Sequence, residues 1–287
     1  MKEGVVMEQQ LAISLFDKHG RRIPYGGMRV YNQVSRRYFL LEQPEYDCTL
    51  ALARGRMAQF ADLPDLPSAN KFSFVCGAIL AAIEDSSQIA NLAQAVCVPF
   101  ICPPKTTGRG EDIQKLLAAV QVSFLDRFPE GDFRNLCEGK PNDEVALAQG
   151  SRYEKLEAAR EQGWVAGWYF PNCLAEFDLA SQRKQMETLP ETVGNAQIVL
   201  SGAAEAAMAI AGTPGLLFGE INNLHYPHHL CLSALQEPGD ALVYTFEHYA
   251  NTPPAMRFRH RSNMLTPTTT QVSEQWAGGL TVFTALK

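Results

Sequence analysis

The fold of the C-terminal third is decided by residues 219–261, which read GEINNLHYPHHLCLSALQEPGDALVYTFEHYANTPPAMRFRHR. Leu242-Val243-Tyr244 forms an apolar strand core after the turn residues Pro238-Gly239-Asp240, and Met256–Met264 alternates between apolar and polar side chains. A period of two is typical of a strand with one buried face. The segment therefore predicts a sheet that carries the histidines on its strands or at their ends.

Further strands and one ambiguous segment surround this sheet. Gln197–Leu200, Leu216–Phe218 and Leu280–Phe283 are short apolar runs that predict strands. The alanine-rich run Ala203–Ile210 fits a helix or a strand, although alanine favours the helix.

The middle of the chain has helical periodicity. Apolar residues recur at steps of three and four from 111 to 128, and Pro129 ends the pattern. We also expect helices over 72–83, 87–96 and 151–162. For the last of these, Ser151 and Glu154 have the spacing of a capping box, and Gly163 ends the helix.

The N-terminal part favours strands. Alternating residues from about 8 to 60, including Cys48–Ala53, predict a small antiparallel sheet, and the connector Leu63-Pro64-Asp65-Leu66-Pro67-Ser68 follows it. The predicted fold class is α+β with three regions: a β module over 1–62, a mainly helical region over 63–195 and a β-rich region over 196–287.

Composition restricts the classes of function. The chain has 287 residues, 46% of them hydrophobic, and a formal net charge of −6, which disfavours a general nucleic-acid binder. It has no apolar run long enough to span a bilayer and no signal-peptide core. We expect a cytoplasmic protein, with secretion without a cleaved signal as an open alternative, and a small molecule or a protein as the partner.

Seven cysteines are spread over the chain without a regular framework. An odd number in a chain of this length predicts reduced thiols that mostly pack as small buried hydrophobic residues. Cys173 or Cys231 could still act as a nucleophile if a histidine lies within hydrogen-bond reach.

The C-terminal histidines are candidate metal ligands. Metal binding by His225, His228, His229 and His248 would suit iron, zinc or manganese, if these imidazoles converge from neighbouring strands. Which divalent ion would bind, or whether any does, is left open.

Acidic and basic side chains in the same segment are candidate catalytic residues. Period-two geometry places Arg257, Arg259 and Arg261 on one face of a strand, where they could hold a carboxylate or phosphate or form a solvated outer face. Glu247 supplies a carboxylate for catalysis or metal binding. We name Glu247, Arg257 and Arg259 as the catalytic candidates.

A local resemblance supports the metal hypothesis. Pro238-Gly239-Asp240, the strand core at 242–244, His248 and Asn251 together resemble the second half of the metal motif of cupins and related double-stranded β-helix oxygenases. The resemblance implies that His248 is a metal ligand. The gap from Asp240 to His248 is shorter by about two residues than in that motif, and the paired-histidine or His-x-Asp pattern that those families place upstream is absent.

A second resemblance concerns Leu200-Ser201-Gly202. It is similar to the Leu-Ser-Gly-Cys nucleophile motif of bacterial glutamine deamidase toxins, with Ala203 at the position of the thiol. The resemblance implies a cysteine-type deamidase that is inactive as this chain stands.

Three functions are consistent with these patterns. The first is a metal-dependent enzyme that acts on a small anionic substrate, and the second is a cysteine-nucleophile amidase or deamidase. The third is a non-catalytic interaction protein, in which the N-terminal sheet and the pair Trp164 and Trp168 form contact surfaces; core packing is the commoner use of such tryptophans.

Overall fold

A computed structural model describes residues 43–57, 60, 63–137, 145–171, 173–174, 177, 179–217, 220–221, 224–225, 229–236, 243–249, 252–261 and 276–286. The predicted N-terminal strands up to residue 42 lie outside these ranges. The α-helices are α1 Gln43–Arg56, α2 Ala69–Glu84, α3 Arg109–Arg127, α4 Glu154–Gln162, α5 Leu179–Gln185 and α6 Ala203–Gly212. The strands are β1 Val98–Cys102, β2 Asp132–Asn135, β3 Ala146–Leu147, β4 Val165–Phe170, β5 Thr192–Val193, β6 Ala196–Leu200, β7 Glu220–Ile221, β8 Leu224–His225, β9 His229–Gln236, β10 Val243–Tyr249, β11 Ala255–Arg261, β12 Trp276–Gly278 and β13 Leu280–Ala285.

The fold is α+β, as the sequence predicted. Its first sheet has five antiparallel strands in the order β1-β4-β13-β6-β5. The second has the order β12-β9-β10-β11-β2, with β3 paired to β9, and β7 and β8 form a separate hairpin. The hydrophobic core runs from Tyr46 to Phe283 and so includes residues from all three predicted regions.

Helix α6 is the centre of the molecule. All ten of its residues are buried, and it packs against α1, α3 and β1. Alanine has the highest intrinsic helix propensity and a small side chain, so this segment forms a helix that its neighbours approach closely. The choice between helix and strand for Ala203–Ile210 is thereby settled.

Two ion pairs fix α4 against α3. Arg160 makes two hydrogen bonds with Asp112, at 2.7 and 2.8 Å, and both side chains are buried. One turn earlier on each helix, Arg109 makes a second two-point contact with Glu157, both bonds measuring 2.7 Å. Bidentate pairs of this kind restrict orientation as well as distance, and they hold Tyr153 at the start of α4 in place.

The helix predictions for 72–83, 111–128 and 151–162 are confirmed as α2, α3 and α4. Gly163 ends α4 with a φ of 155°, as predicted. The capping box is not formed, because Tyr153 is the N-cap and the Ser151 hydroxyl accepts from the Tyr153 N–H at 3.4 Å.

Three local predictions are wrong. Cys48–Ala53 lies in α1, where Tyr46, Leu50 and Ala53 bury one helical face. Most of 87–96 is a turn followed by a 3-10 helix at Ala90–Gln94. The predicted strand at Leu216–Phe218 begins inside another 3-10 helix, Pro214–Leu217, because Pro214 starts a tight turn directly after α6.

Trp164 and Trp168 belong to the core. Trp168 is fully buried in β4, and its indole N–H donates to the Cys76 carbonyl at 2.8 Å. Trp164 is 6% exposed. Both side chains therefore pack in the core, and the prediction that they form a contact surface is wrong.

Candidate functional site

Strand pairing brings three predicted site residues into one row. Glu247 on β10 lies opposite His229 on β9 and opposite Arg257 on β11. Directly paired residues point to the same side of a sheet, with Cβ atoms about 4.5–5.5 Å apart. Two residues away, Thr245 is paired with Cys231 and Arg259 in the same manner. We call this side the Glu247 face.

The carboxylate of Glu247 contacts several groups on this face. It is fully buried and accepts hydrogen bonds from the Thr245 hydroxyl at 3.0 Å and from the Tyr249 hydroxyl. The Nε of Arg259 lies 3.7 Å from its Oε1, and the Arg259 side chain is 32% exposed. Glu247, Thr245, Tyr249 and Arg259 are called the Glu247 cluster below.

Arg257 is engaged at the edge of the sheet. Its Nη1 lies 2.9 Å from a carboxylate oxygen of Asp132 on β2. Hydrogen bonds from Arg134 and Arg257 lower the pKa of Asp132, so this carboxylate stays ionised beside them. Arg257 is therefore held by an acid, whereas Arg259 makes only the long contact with Glu247 among the described side chains.

The two histidines whose side chains are described lie on opposite faces. His229 is buried on the Glu247 face, with its ring centroid 5.3 Å from that of Tyr249. His248 points into the core, where its ring stacks on Phe128 at 6.1 Å and meets Phe124 at 6.4 Å. Because neighbours on a strand alternate in direction, Glu247 and His248 cannot serve the same site.

Metal binding stays a prediction. His228 and the side chain of His225 lie outside the described residues, and within the described ranges no group of three or more His, Cys, Asp or Glu side chains is arranged to hold a metal ion. A metal site on the Glu247 face would have to combine His229 with ligands other than His248. The cupin resemblance has the same difficulty, because His248 lies near the end of β10 on the core face; Pro238-Gly239-Asp240 and Asn251 are outside the described residues.

The thiol nucleophile gains no support from the structure. All seven cysteines are free of disulfides, and six of them are buried. Burial raises the pKa of the Cys231 thiol, and the charge of Glu247 raises it further; burial also raises the pKa of Cys173. Since the thiolate is the nucleophile, neither cysteine is activated.

Sequence reasoning missed a second buried carboxylate, at the start of α6. Glu205 Oε1 accepts from the Gly202 N–H at 2.5 Å and the Thr281 hydroxyl at 3.0 Å. Its Oε2 accepts from the Tyr153 hydroxyl at 2.7 Å. Gly202 and Glu205 have capping-box spacing, which was the available signal. Glu205, Tyr153, Thr281 and Gly202 are called the Glu205 cluster.

The Glu205 cluster is closed to solvent. Glu205 and Thr281 are fully buried, and a Cβ at Gly202 would collide with the ring of Tyr153. Burial raises the pKa of Glu205 despite its hydrogen bonds, and burial followed by the nearby Glu205 raises the pKa of Tyr153. Strand β6 leads through Ser201-Gly202 into α6, and Ala203, at the position of the thiol in the motif that this stretch resembles, supplies no nucleophile.

No protein-family model, no curated protein and no solved structure matches this chain. None of the described helices is long and apolar enough to cross a bilayer. The site must therefore be interpreted from its own geometry.

Proposed function

We propose that the Glu247 face binds a small molecule with a carboxylate or phosphate group and that Glu247 acts on it as general acid or base. Arg259 binds the anionic group, with Arg257 beside it on β11. His229, opposite Glu247, is the second titratable group of the site. Metal-assisted chemistry through His229 and the neighbouring histidines is the extended form of this proposal.

The single observation that carries the proposal is the way in which Glu247 is held. A fully buried carboxylate needs hydrogen-bond donors or a cation to offset its lost hydration. Here two hydroxyls fix the carboxylate, while the cation is one-third exposed and 3.7 Å distant. A guanidinium has five N–H donors, so this long contact leaves Arg259 able to bind an incoming anion.

The different roles of Arg259 and Glu247 follow from the distance at which each can contact the bound molecule. A general acid or base must lie within hydrogen-bond distance of the group with which it exchanges a proton. An anion bound by Arg259 lies next to the carboxylate that the same guanidinium contacts. Thr245 and Tyr249 fix the orientation of that carboxylate, so they are positioning residues.

Anion binding is the first test. The thermal stability of the full chain is measured with inorganic phosphate and with succinate at low ionic strength, for the wild type, Arg259→Ala and Arg54→Ala. Arg54 is the control, because it is an exposed arginine on α1, away from the Glu247 face. We expect the anions to raise the Tm of the wild type and of Arg54→Ala but not of Arg259→Ala.

A second variant separates binding from simple structural pairing. Glu247→Gln keeps the shape of the side chain but removes the negative charge beside Arg259. We expect it to bind phosphate at least as tightly as the wild type in calorimetry. No binding by the wild type, or equal binding by Arg259→Ala, would overturn the proposal.

Metal analysis tests whether the proposed chemistry depends on a metal ion. Protein purified without a nickel column is analysed for iron, zinc and manganese. Stoichiometric metal supports the extended form, and absence of metal together with full folding after chelation removes it.

A further inference from the structure

Helix α2 exposes a continuous stripe on the side away from the core. The side chains that face solvent recur at steps of three and four, which is one helical face. They are Asn70, Lys71, Phe74, Gly77, Ala78, Ala81 and Glu84, together called the α2 stripe. Phe74 is 76% exposed, compared with 39% for Val122 and 49% for Leu136.

The ring of Phe74 lies between two grooves. One, of about 340 Å³, runs between α2 and the β5–β6 turn and is lined mainly by apolar residues such as Ala78, Ala82 and Val193. The other, of about 620 Å³, runs between α1 and α2 beside Tyr46 and Leu80. A projecting aromatic ring and an apolar groove therefore occur side by side on one surface.

The charged side chains of α2 stand at the ends of the helix that the helix dipole disfavours for them. Its first turn has no acidic residue and carries Lys71, while its last turn has no basic residue and ends with Glu84 and Asp85. Helix dipoles favour the opposite arrangement, with acids at the start and bases at the end. In an isolated α2 this order of charges is unfavourable. If a second α2 packs antiparallel, Lys71 of each helix comes close to Glu84 and Asp85 of the other, and these opposite charges attract.

We propose that the α2 stripe is a homodimer interface, in which α2 packs antiparallel against α2 of a second copy around a two-fold axis near Gly77 and Ala78. This centre places Phe74 of one copy against Ala81 of the other. It also brings each Lys71 to the acidic end of the opposite helix. A two-fold interface must be self-complementary, and both the steric and the charge pattern of the stripe meet that condition.

The α2 stripe supplies part of the surface that such a contact needs, and the grooves beside it supply the rest. A stable interface buries about 800 Å² on each partner. The 16 residues of α2 extend for about 24 Å, and the grooves on either side widen the contact beyond the helix. Glycine and alanine at the centre let the two backbones approach closely, so the flanking grooves can take part.

The oligomeric state of the full chain tests the proposal. We expect sedimentation equilibrium to show a dimer, and Phe74→Glu to weaken it at least ~30-fold, as for a central aromatic hot spot. Val122→Glu, an exposed apolar residue on α3, is the matched control and should leave the dimer intact. A wild-type chain that is monomeric at about 100 µM would overturn the interface.

Charge exchange and cross-linking test the orientation. Lys71→Glu should weaken the dimer, and adding Glu84→Lys and Asp85→Lys should restore it. In a Cys48→Ser background, which removes the exposed native thiol, Ala78→Cys should cross-link to itself with a short bis-maleimide, whereas Val122→Cys should not. A dimer without rescue and without this cross-link would place the contact elsewhere. None of these variants alters the Glu247 face, so the two proposals fail independently.

Discussion

The two buried carboxylates of this protein have similar donors but different surroundings. Glu205 and Glu247 each accept from one tyrosine and one threonine hydroxyl. Glu205 has in addition a backbone N–H and lies in the first turn of the buried helix α6. Glu247 has instead the partly exposed guanidinium of Arg259. The two clusters therefore share their hydroxyl donors and differ in the third group beside the carboxylate; under the proposed function, the partly exposed guanidinium of Arg259 is what makes the Glu247 cluster a binding site.

The largest expected difference between the clusters is in stability. Glu205→Ala leaves the Gly202 N–H and two hydroxyls without their acceptor in a closed interior, and we expect it to lower the free energy of unfolding by about 3–5 kcal/mol. Glu247→Ala should cost about 1–2 kcal/mol, because Arg259 can be hydrated. Guanidinium chloride denaturation measures both, with exposed Glu111→Ala as the control. Equal losses for the two variants would contradict the comparison.

Removing the tyrosine hydroxyl from each cluster should give a smaller difference in stability. Tyr153→Phe removes the hydroxyl that donates to Glu205 and accepts from the Ala204 N–H at 3.2 Å, so it should cost about 1–3 kcal/mol. Tyr249→Phe removes one donor from a cluster that Arg259 still supports, and about 1 kcal/mol is expected. The same denaturation assay applies. If Tyr249→Phe proved the more damaging change, the Glu247 cluster would be the structural one.

The smallest expected effect is a pH dependence. Burial raises the pKa of Glu205, so ionising it costs more in the folded than in the unfolded chain. The contribution of neutral Glu205 to the free energy of unfolding is fully present below the ordinary carboxyl pKa of about 4.3. It is lost as the pH rises toward the raised pKa of the folded protein. Glu205→Gln should flatten the fall in unfolding free energy as the pH rises above the ordinary carboxyl pKa of about 4.3.

Glu157 is the control, because its pKa is shifted in the direction opposite to that of Glu205. Burial alone would raise the pKa of Glu157, but Arg109 and Lys105 lower it overall, so its stabilisation is present at neutral pH and is lost only in acid. Glu157→Gln should therefore leave the slope above the ordinary carboxyl pKa of about 4.3 unchanged. A slope that is equally steep in Glu205→Gln and in the wild type would show that Glu205 does not titrate as expected.

The sequence predicted the elements whose pattern is local. The apolar periodicity of α3 and the alternation of β11 were sufficient to find both, because burial on one side of a helix or strand imposes a period on neighbouring residues. It failed at α1, where the same residues fit a short strand. There the choice depended on packing against α2 and α6, which no local pattern contains.

The candidate site was predicted only as a set of residues. Glu247, Arg257 and Arg259 were chosen because they are titratable or basic side chains in one segment, and the pairing of β10 with β11 places them on one face. Thr245 and Tyr249 were not identified, since hydroxyl side chains on a strand have no distinctive pattern. The Glu205 cluster joins positions 153, 202, 205 and 281, which are too far apart in the sequence to be linked by spacing.

By itself the sequence determined the α+β class, the helices α2, α3 and α4, and the alternation that separates Arg257 and Arg259 from Phe258. Tertiary structure alone decided that His229 meets Glu247 while His248 turns into the core. The reason is that alternation fixes which residues of one strand share a side, whereas the register between strands fixes which residues meet across them. Register depends on hydrogen bonding and packing between distant segments, and those are settled only when the chain folds.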